Sequence, residues 1–239
     1  MKILHLYHDI MNLYGEYANV SALTRLLQHM GTEVTVDKRS LQDTVDLSEY
    51  DFVYVGSGTE RNQKVVLEHL RSMKEALSDY IEQDKVILMT GNAFEMLGSS
   101  ITDSSGKATQ GLGLFPFTVT EQNKTRVTGD AIFSTDCCEH KLVGFINKCS
   151  TISGIETPLF TVEMGIGNQD NDTKEGIHYR RFFGTHLTGP ILIKNPYFLI
   201  YIVSLLAGED TPVPADSLSY ETAGYEVTLS ELTKRMNNT

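Results

Sequence analysis

Basic side chains are in deficit: 20 Lys+Arg face 31 Asp+Glu in 239 residues, a formal net charge of −11. Holding a phosphate backbone takes a clustered basic face, and none is present, so nucleic acid is excluded as a partner. The same deficit argues against docking on anionic membranes. Cysteine is scarce. Cys137, Cys138 and Cys149 make an odd number at no metal-ligand spacing, which reads as bystander thiols in a reducing cytoplasm, with no metal or other cofactor to expect. Long apolar runs are missing as well. The most apolar stretch, Tyr197–Ala207, is about half of the ~20 residues a membrane span requires, and it predicts a buried helix instead. The opening MKILHLY enters a β-like run with no small-residue cleavage site, so no signal peptide is expected. Repeats, low-complexity segments and linker-like stretches are absent.

What is present is an ordinary globular composition, 41% hydrophobic and 21% charged, in a chain able to bury a sizeable core. The first hundred residues alternate strand and helix signals. Strands are predicted at Lys2–Tyr7, Glu33–Val36, Asp51–Val55 and Lys85–Thr90, with helices at Ala18–Met30 and Asn62–Gln83 between them. The nearly unbroken apolar run KVILMT suits a strand buried on both faces of a parallel sheet. This rhythm predicts an α/β fold, a doubly wound and mostly parallel sheet flanked by helices. From Gly111 the texture shifts to short strand candidates at Leu112–Thr120, Lys124–Val127, Leu142–Phe145, Leu159–Met164 and Tyr179–Gly184, around a polar loop at Asn168–Glu175. A helix follows at Asn195–Ala207, with Asn195 as cap and Pro196 in its first turn. Residues 1–207 read as one domain. In the tail, 208–239, Leu229, Leu232 and Met236 suggest a short amphipathic helix.

Sites in such a sheet lie beyond the carboxyl ends of the strands. Three segments fall there. YHDIMNLYGEYAN carries His8, Asp9, Asn12, Tyr14 and Glu16, and by itself reads as a capped turn with solvated acids. GSGTERNQ offers Gly56 and Gly58, whose backbone N–H groups suit an anion at a helix start. Its Ser57 lacks an elbow signature. KVILMTGNAFEMLG has the strand, turn and helix-start order of a nucleophile elbow, but its tip falls on Thr90, Gly91 or Asn92, none of them a strong nucleophile.

YHDIMNLYGEYANV, GSGTERNQ, the elbow segment and FFGTHLTGPILIKNP together resemble the cobyric-acid-synthase-type (CobB/CobQ-like) class I glutamine amidotransferases, and within them most closely the glutaminase subunits of lipid II isoglutaminyl synthase, the GatD-like branch. Members typically read YPDLMNLYGDxGN, GGGQDxxQ, CGGYQxLG and GTYLHGPxLxKNP, and the likeness runs in register from Met1 to Ala207. It implies a flavodoxin-like amidotransferase domain in which a cysteine attacks the glutamine amide, a histidine acts as base and backbone amides hold the oxyanion. Anchored on Glu95, Leu97 and Gly98, the cysteine position falls on Gly91, or on Thr90 with a one-residue shift. The base position falls on Thr188. His186, two residues earlier, projects to the same side of an extended strand but is displaced by about 6–7 Å. Arg126, in NKTRVTGD, stands where the resemblance implies an arginine for the glutamine carboxylate, and its guanidinium suits a bidentate pair. Gly56 and Gly58 match the oxyanion-side loop. Glu95 replaces a glutamine and would repel an anionic ligand.

Three readings follow. The first is an amidotransferase subunit that has lost glutamine hydrolysis, a pseudoenzyme working with a MurT-like ligase in amidation of a peptidoglycan precursor, as scaffold, regulator or mouth for free ammonia. The second is an amide hydrolase rebuilt on Thr90 or His186. The third is a module that senses glutamine or a related amino acid through Arg126 and the Gly56–Gly58 loop.

Overall fold

The computed structural model describes residues 1–122, 126–208, 211–214 and 216–238. Strand β1 (Lys2–Leu6) leads through a turn into helix α1 (Tyr17–His29), then β2 (Thr35–Arg39) and β3 (Phe52–Val55). Helices α2 (Glu60–Leu70) and α3 (Lys74–Glu82) carry the chain back to β4 (Val86–Thr90). Short strands follow: β5 (Ser100–Thr102), β6 (Ala108–Gln110), β7 (Thr118–Glu121), the long hairpin β8 (Val127–Thr135) and β9 (Cys138–Lys148), then β10 (Ser150–Ser153), β11 (Phe160–Met164) and β12 (Lys174–Glu175). The chain then returns to the first layer as β13 (Ile177–Tyr179) and β14 (Phe182–Thr185), and closes with β15 (Leu187–Thr188), α4 (Ile191–Lys194), α5 (Pro196–Ala207) and α6 (Ser219–Asn237).

The central sheet has the order β13-β14-β4-β3-β1-β2, parallel except for β13. Every residue of β3 and β4 is buried, as a strand with helices on both faces demands. The two-residue side-chain period sorts them. Phe52 and Leu88 join Leu23 of α1 and Phe198 of α5 in one core, while Val53 and Ile87 join Leu67 of α2 and Leu77 of α3 in the other. This is the doubly wound α/β layer that the sequence predicts. Two further sheets, β10-β7-β5-β6 and β12-β11-β8-β9-β15, hold the extra strands of the second half.

Several boundaries differ from expectation, each for a local reason. The single helix predicted over Asn62–Gln83 breaks at Arg71–Met73, where the Ser72 hydroxyl donates to the His69 carbonyl and competes with the backbone ladder. The strand predicted at Tyr179–Gly184 is a hairpin, turned at Arg180, which takes a left-handed φ of 54°. Of Leu112–Thr120 only the end is strand, and β2 lies further on than Glu33–Val36. The strand predicted at Lys124–Val127 lies mostly outside the described residues. Asn195 does not cap α5. Its side chain accepts from Val143 N (2.7 Å) and donates to Val143 O (3.0 Å), pinning the α4–α5 corner to β9.

The tail helix is longer than expected, 19 residues, and lays Tyr225 and Leu232 against Ile132 and Val143. Among the described residues no helix is long and apolar enough to cross a membrane. Leu88, fully buried in β4, tests the layer that supports the site: Leu88→Ala is expected to lower unfolding free energy by about 2–5 kcal/mol in urea titration.

Candidate functional site

The turns after β1, β3 and β4 meet at the carboxyl end of the sheet, and the fold decides how. Gly91 follows β4 with φ of 60°, a left-handed conformation that costs a side-chain-bearing residue and suits a strained turn. Thr90 is still extended, wholly buried, and its Oγ1 lies 2.8 Å from the Tyr54 hydroxyl. Tyr54 in turn accepts from Asn19 Nδ2 (2.9 Å), and Asn19 Oδ1 accepts from Leu192 N (2.8 Å). Thr90 therefore belongs to a buried chain of hydrogen bonds that seats β4 against α1 and α4, and it does not line the cavity above the turn.

That cavity is lined by Ser57, Gly58, Gly91, Asn92, His186 and Thr188, with Arg126 at its mouth. It measures about 20 Å³, room for roughly one water. Ser57 is what closes it. A Cβ placed on Gly91 would stand nearer than 3.0 Å to Ser57 Cβ and 3.1 Å from its Oγ. Ser57 is held there by Glu16, fully buried, whose Oε2 accepts from both the Ser57 N–H (2.6 Å) and its hydroxyl (2.6 Å). Burial pushes the Glu16 carboxyl above its ordinary value, and the two Ser57 bonds oppose that rise. Gly56 and Gly58 have no room for a side chain, because the turn after β1 lies on them: a Cβ would strike Met11 O or Met11 Sδ.

Of the two glycine N–H groups expected to face an anion, that of Gly58 is engaged from within, donating to Asn92 Oδ1 at 3.0 Å, and the Ser57 N–H between them goes to Glu16. Asn92 thus puts its own carboxamide oxygen where an incoming acceptor would have to bind. Gln63 holds the same turn by donating to Asn92 O (2.7 Å) and Glu95 Oε2 (2.8 Å).

His186 and Thr188 both reach the cavity wall, as strand alternation predicts. Neither is free. Thr188 Oγ1 donates to Phe145 O (2.9 Å). His186 is 1% exposed, with Nε2 2.9 Å from Glu95 Oε1 and Nδ1 3.3 Å from Glu175 Oε1, the latter without hydrogen-bond geometry. Burial alone would lower its pKa, but the carboxylates of Glu175 and Glu95 outweigh burial and raise it. Both ring nitrogens face buried carboxylates, so the imidazole presents neither of them to the cavity as a free base. Glu95, read from sequence as a source of repulsion, is occupied here by His186, Gln63 and Ser150, accepting from the Ser150 hydroxyl. Lys148 is buried beside this cluster and donates to Gly167 O and Asn168 O.

Arg126 lines the mouth of the cavity, where its guanidinium is ion-paired to Glu60 and donates to Asn147 Oδ1 (3.0 Å). Sequence reasoning missed Glu60, Glu175 and Lys148, which no motif marks. It also set Cys149 aside, whereas the thiol lines the mouth and donates to Glu60 Oε1 at 3.1 Å. Burial and that carboxylate push the thiol up to about 12, so it is not a thiolate. Among the described residues no group of three or more potential metal ligands forms a site.

Residues 2–196 match the model of the CobB/CobQ-like glutamine amidotransferase domain. The chain belongs to that family. A curated relative in Streptococcus pneumoniae, the lipid II isoglutaminyl synthase (glutamine-hydrolyzing) subunit GatD, is 33% identical over 93% of this chain and 89% of its own. The subunit of the same name in Staphylococcus aureus is 32% identical over 85% of this chain and 83% of its own. A glutamine amidotransferase of Thermotoga maritima shares the fold alone, with a TM-score of 0.55 and 13% identity over 100% of this chain and 99% of its own.

In this family member the His186 clamp makes a pH-dependent contribution to stability. A raised folded-state pKa stabilises fully below the unfolded value near 6.5 and is lost as pH rises through the folded value. The stability gap between wild type and His186→Gln, measured by denaturant titration, is therefore expected to be larger at pH 6 than at pH 9.

Proposed function

We propose that this chain is a GatD-like amidotransferase subunit that no longer hydrolyses glutamine and acts in amidation of the lipid II peptidoglycan precursor together with a MurT-like ligase in the cytoplasm. The observation that carries the loss is the pair of intrusions into the elbow. Ser57 occupies the space a side chain at Gly91 would need, and Asn92 takes the Gly58 N–H. With Gly91 at the nucleophile position and Thr188 at the base position, attack and proton transfer both lack their groups. Ser57 and Asn92 go further, because they turn the vacated volume into packed, hydrogen-bonded protein. Glutamine cannot enter a water-sized cavity unless these side chains move.

A rebuilt hydrolase is disfavoured on the same geometry. Thr90 is buried against Tyr54 away from the cavity, and His186 is spent on two carboxylates. The sensor reading would require Arg126 to leave Glu60 and Gly58 to leave Asn92 before a glutamine carboxylate or amide was bound.

Losing a catalytic nucleophile costs on the order of 10⁶-fold in turnover, so purified wild type is expected to release no detectable ammonia from glutamine, alone or with the ligase. The double variant Gly91→Cys, Thr188→His is expected to stay silent, because Ser57 blocks the new thiol. Adding Ser57→Gly and Asn92→Gly should yield measurable glutaminase activity. Ammonia release by the wild type would overturn the proposal.

A further inference from the structure

A second concavity lies away from the elbow and shares no residue with it. It is a cleft of about 320 Å³ between α3, the loop before β7 and the loop between β10 and β11, within the range of specific binding pockets. Its floor is apolar: Phe115 stacks on Phe182 (5.3 Å between ring centroids) and meets Tyr179 edge-on (5.7 Å), with Ile81, Ile155 and Ile177 around them. Both walls are pinned by backbone bonds. Leu114 N and Phe115 N donate to Leu97 O (2.9 and 3.1 Å), and His178 N donates to Thr157 O (2.8 Å). The cleft is therefore formed in advance of any occupant.

Its banks are acidic. Of the acids on α3, Glu82 lines the cleft, while the exposed Glu75 and Asp79 lie on the same helix outside its lining, and Asp84 follows. Glu156 stands on the opposite bank with no ion-pair partner among the described residues. Arg180 is already spent, on Asp84 (3.1 Å) and Glu82 (3.3 Å). Lys74, at the start of α3, brings its Nζ to 4.0 Å from the Cβ position of Gly113, next to Leu114 of the wall. An apolar floor between acidic banks selects an occupant with an apolar anchor and positive flanks.

We propose that this cleft receives a segment of a partner protein in which one large apolar side chain is flanked by lysine or arginine. The anchor fills the space over Phe115 and Ile155, and the flanking cations face Glu156 on one side and the α3 carboxylates on the other. This goes beyond the reading of the elbow and does not depend on it.

The test uses the full chain, isotope-labelled, titrated with capped peptides Lys-Lys-Phe-Lys, Glu-Glu-Phe-Glu and Lys-Lys-Gly-Lys while Ile, Leu and Val methyl resonances are followed. The Lys/Phe peptide is expected to shift Ile155, Ile177 and Leu114 and to bind at least about tenfold more tightly than either control, weakening as salt rises. Ile155→Asp, on the half-exposed wall, should abolish the shifts with circular dichroism unchanged. Glu82→Gln with Glu156→Gln should weaken binding while leaving the apolar floor intact. Equal binding of the acidic or glycine-centred peptide, or no shift, would refute the proposal. So would a concentration-dependent dimer lost in Ile155→Asp, which would put a second copy of the chain in the cleft.

Discussion

The closeness of two turns at the end of the sheet governs the rest of the site. The turn after β3 lies so near the turn after β4 that only one of Ser57 and Gly91 can carry a side chain into the space between them. In this chain the side chain is on Ser57. Glu16 fixes it from the turn after β1, itself pressed on Gly56 and Gly58. Two hydrogen bonds to one buried carboxylate thereby lock the turns after β1 and β3, and the bond from Gly58 N–H to Asn92 Oδ1 ties in the turn after β4. The left-handed backbone at Gly91 carries no steric cost, because glycine has no Cβ.

Behind the elbow lies a compact ionic cluster of His186, Glu95, Glu175 and Lys148. Buried charges are costly to desolvate, and such a cluster is stable only as a whole: removing one partner leaves another uncompensated, a loss of about 3–5 kcal/mol. It joins β9, β14 and the elbow turn across long sequence separations. The residue with the strongest claim to be a surrogate base is thus one the fold cannot release without opening its own core.

The two concavities contrast in electrostatics and in closure. Around the elbow, carboxylates and cations are mutually paired and little space is left. Along α3 the acids outnumber the cations and the apolar floor lies open. The net charge of −11 is therefore not spread as a uniform repulsive skin. On α3 and its opposite bank it gathers beside exposed apolar surface, where it can bias which partner approaches.

The sequence by itself determined the doubly wound layer, because KVILMT and DFVYV can only be strands covered on both faces, and the spacing of Val20, Leu23 and Leu27 can only be one face of a helix. By resemblance it also pointed to Gly91 or Thr90 and to Thr188 as the positions where a nucleophile and a base would be sought. What it left open was settled by contacts across long sequence separations. No local pattern states that Asn195 will bond β9 instead of capping α5, or that Glu82 and Glu156 will line the same cleft. Nor does any local pattern state that Glu95 and Glu175 will close on His186, that Asn92 will turn its carboxamide to Gly58, or that Ser57 will fill the space over Gly91. Periodicity records which face of an element is buried, whereas hydrogen bonds and van der Waals exclusion between distant turns exist only once the chain has brought them together.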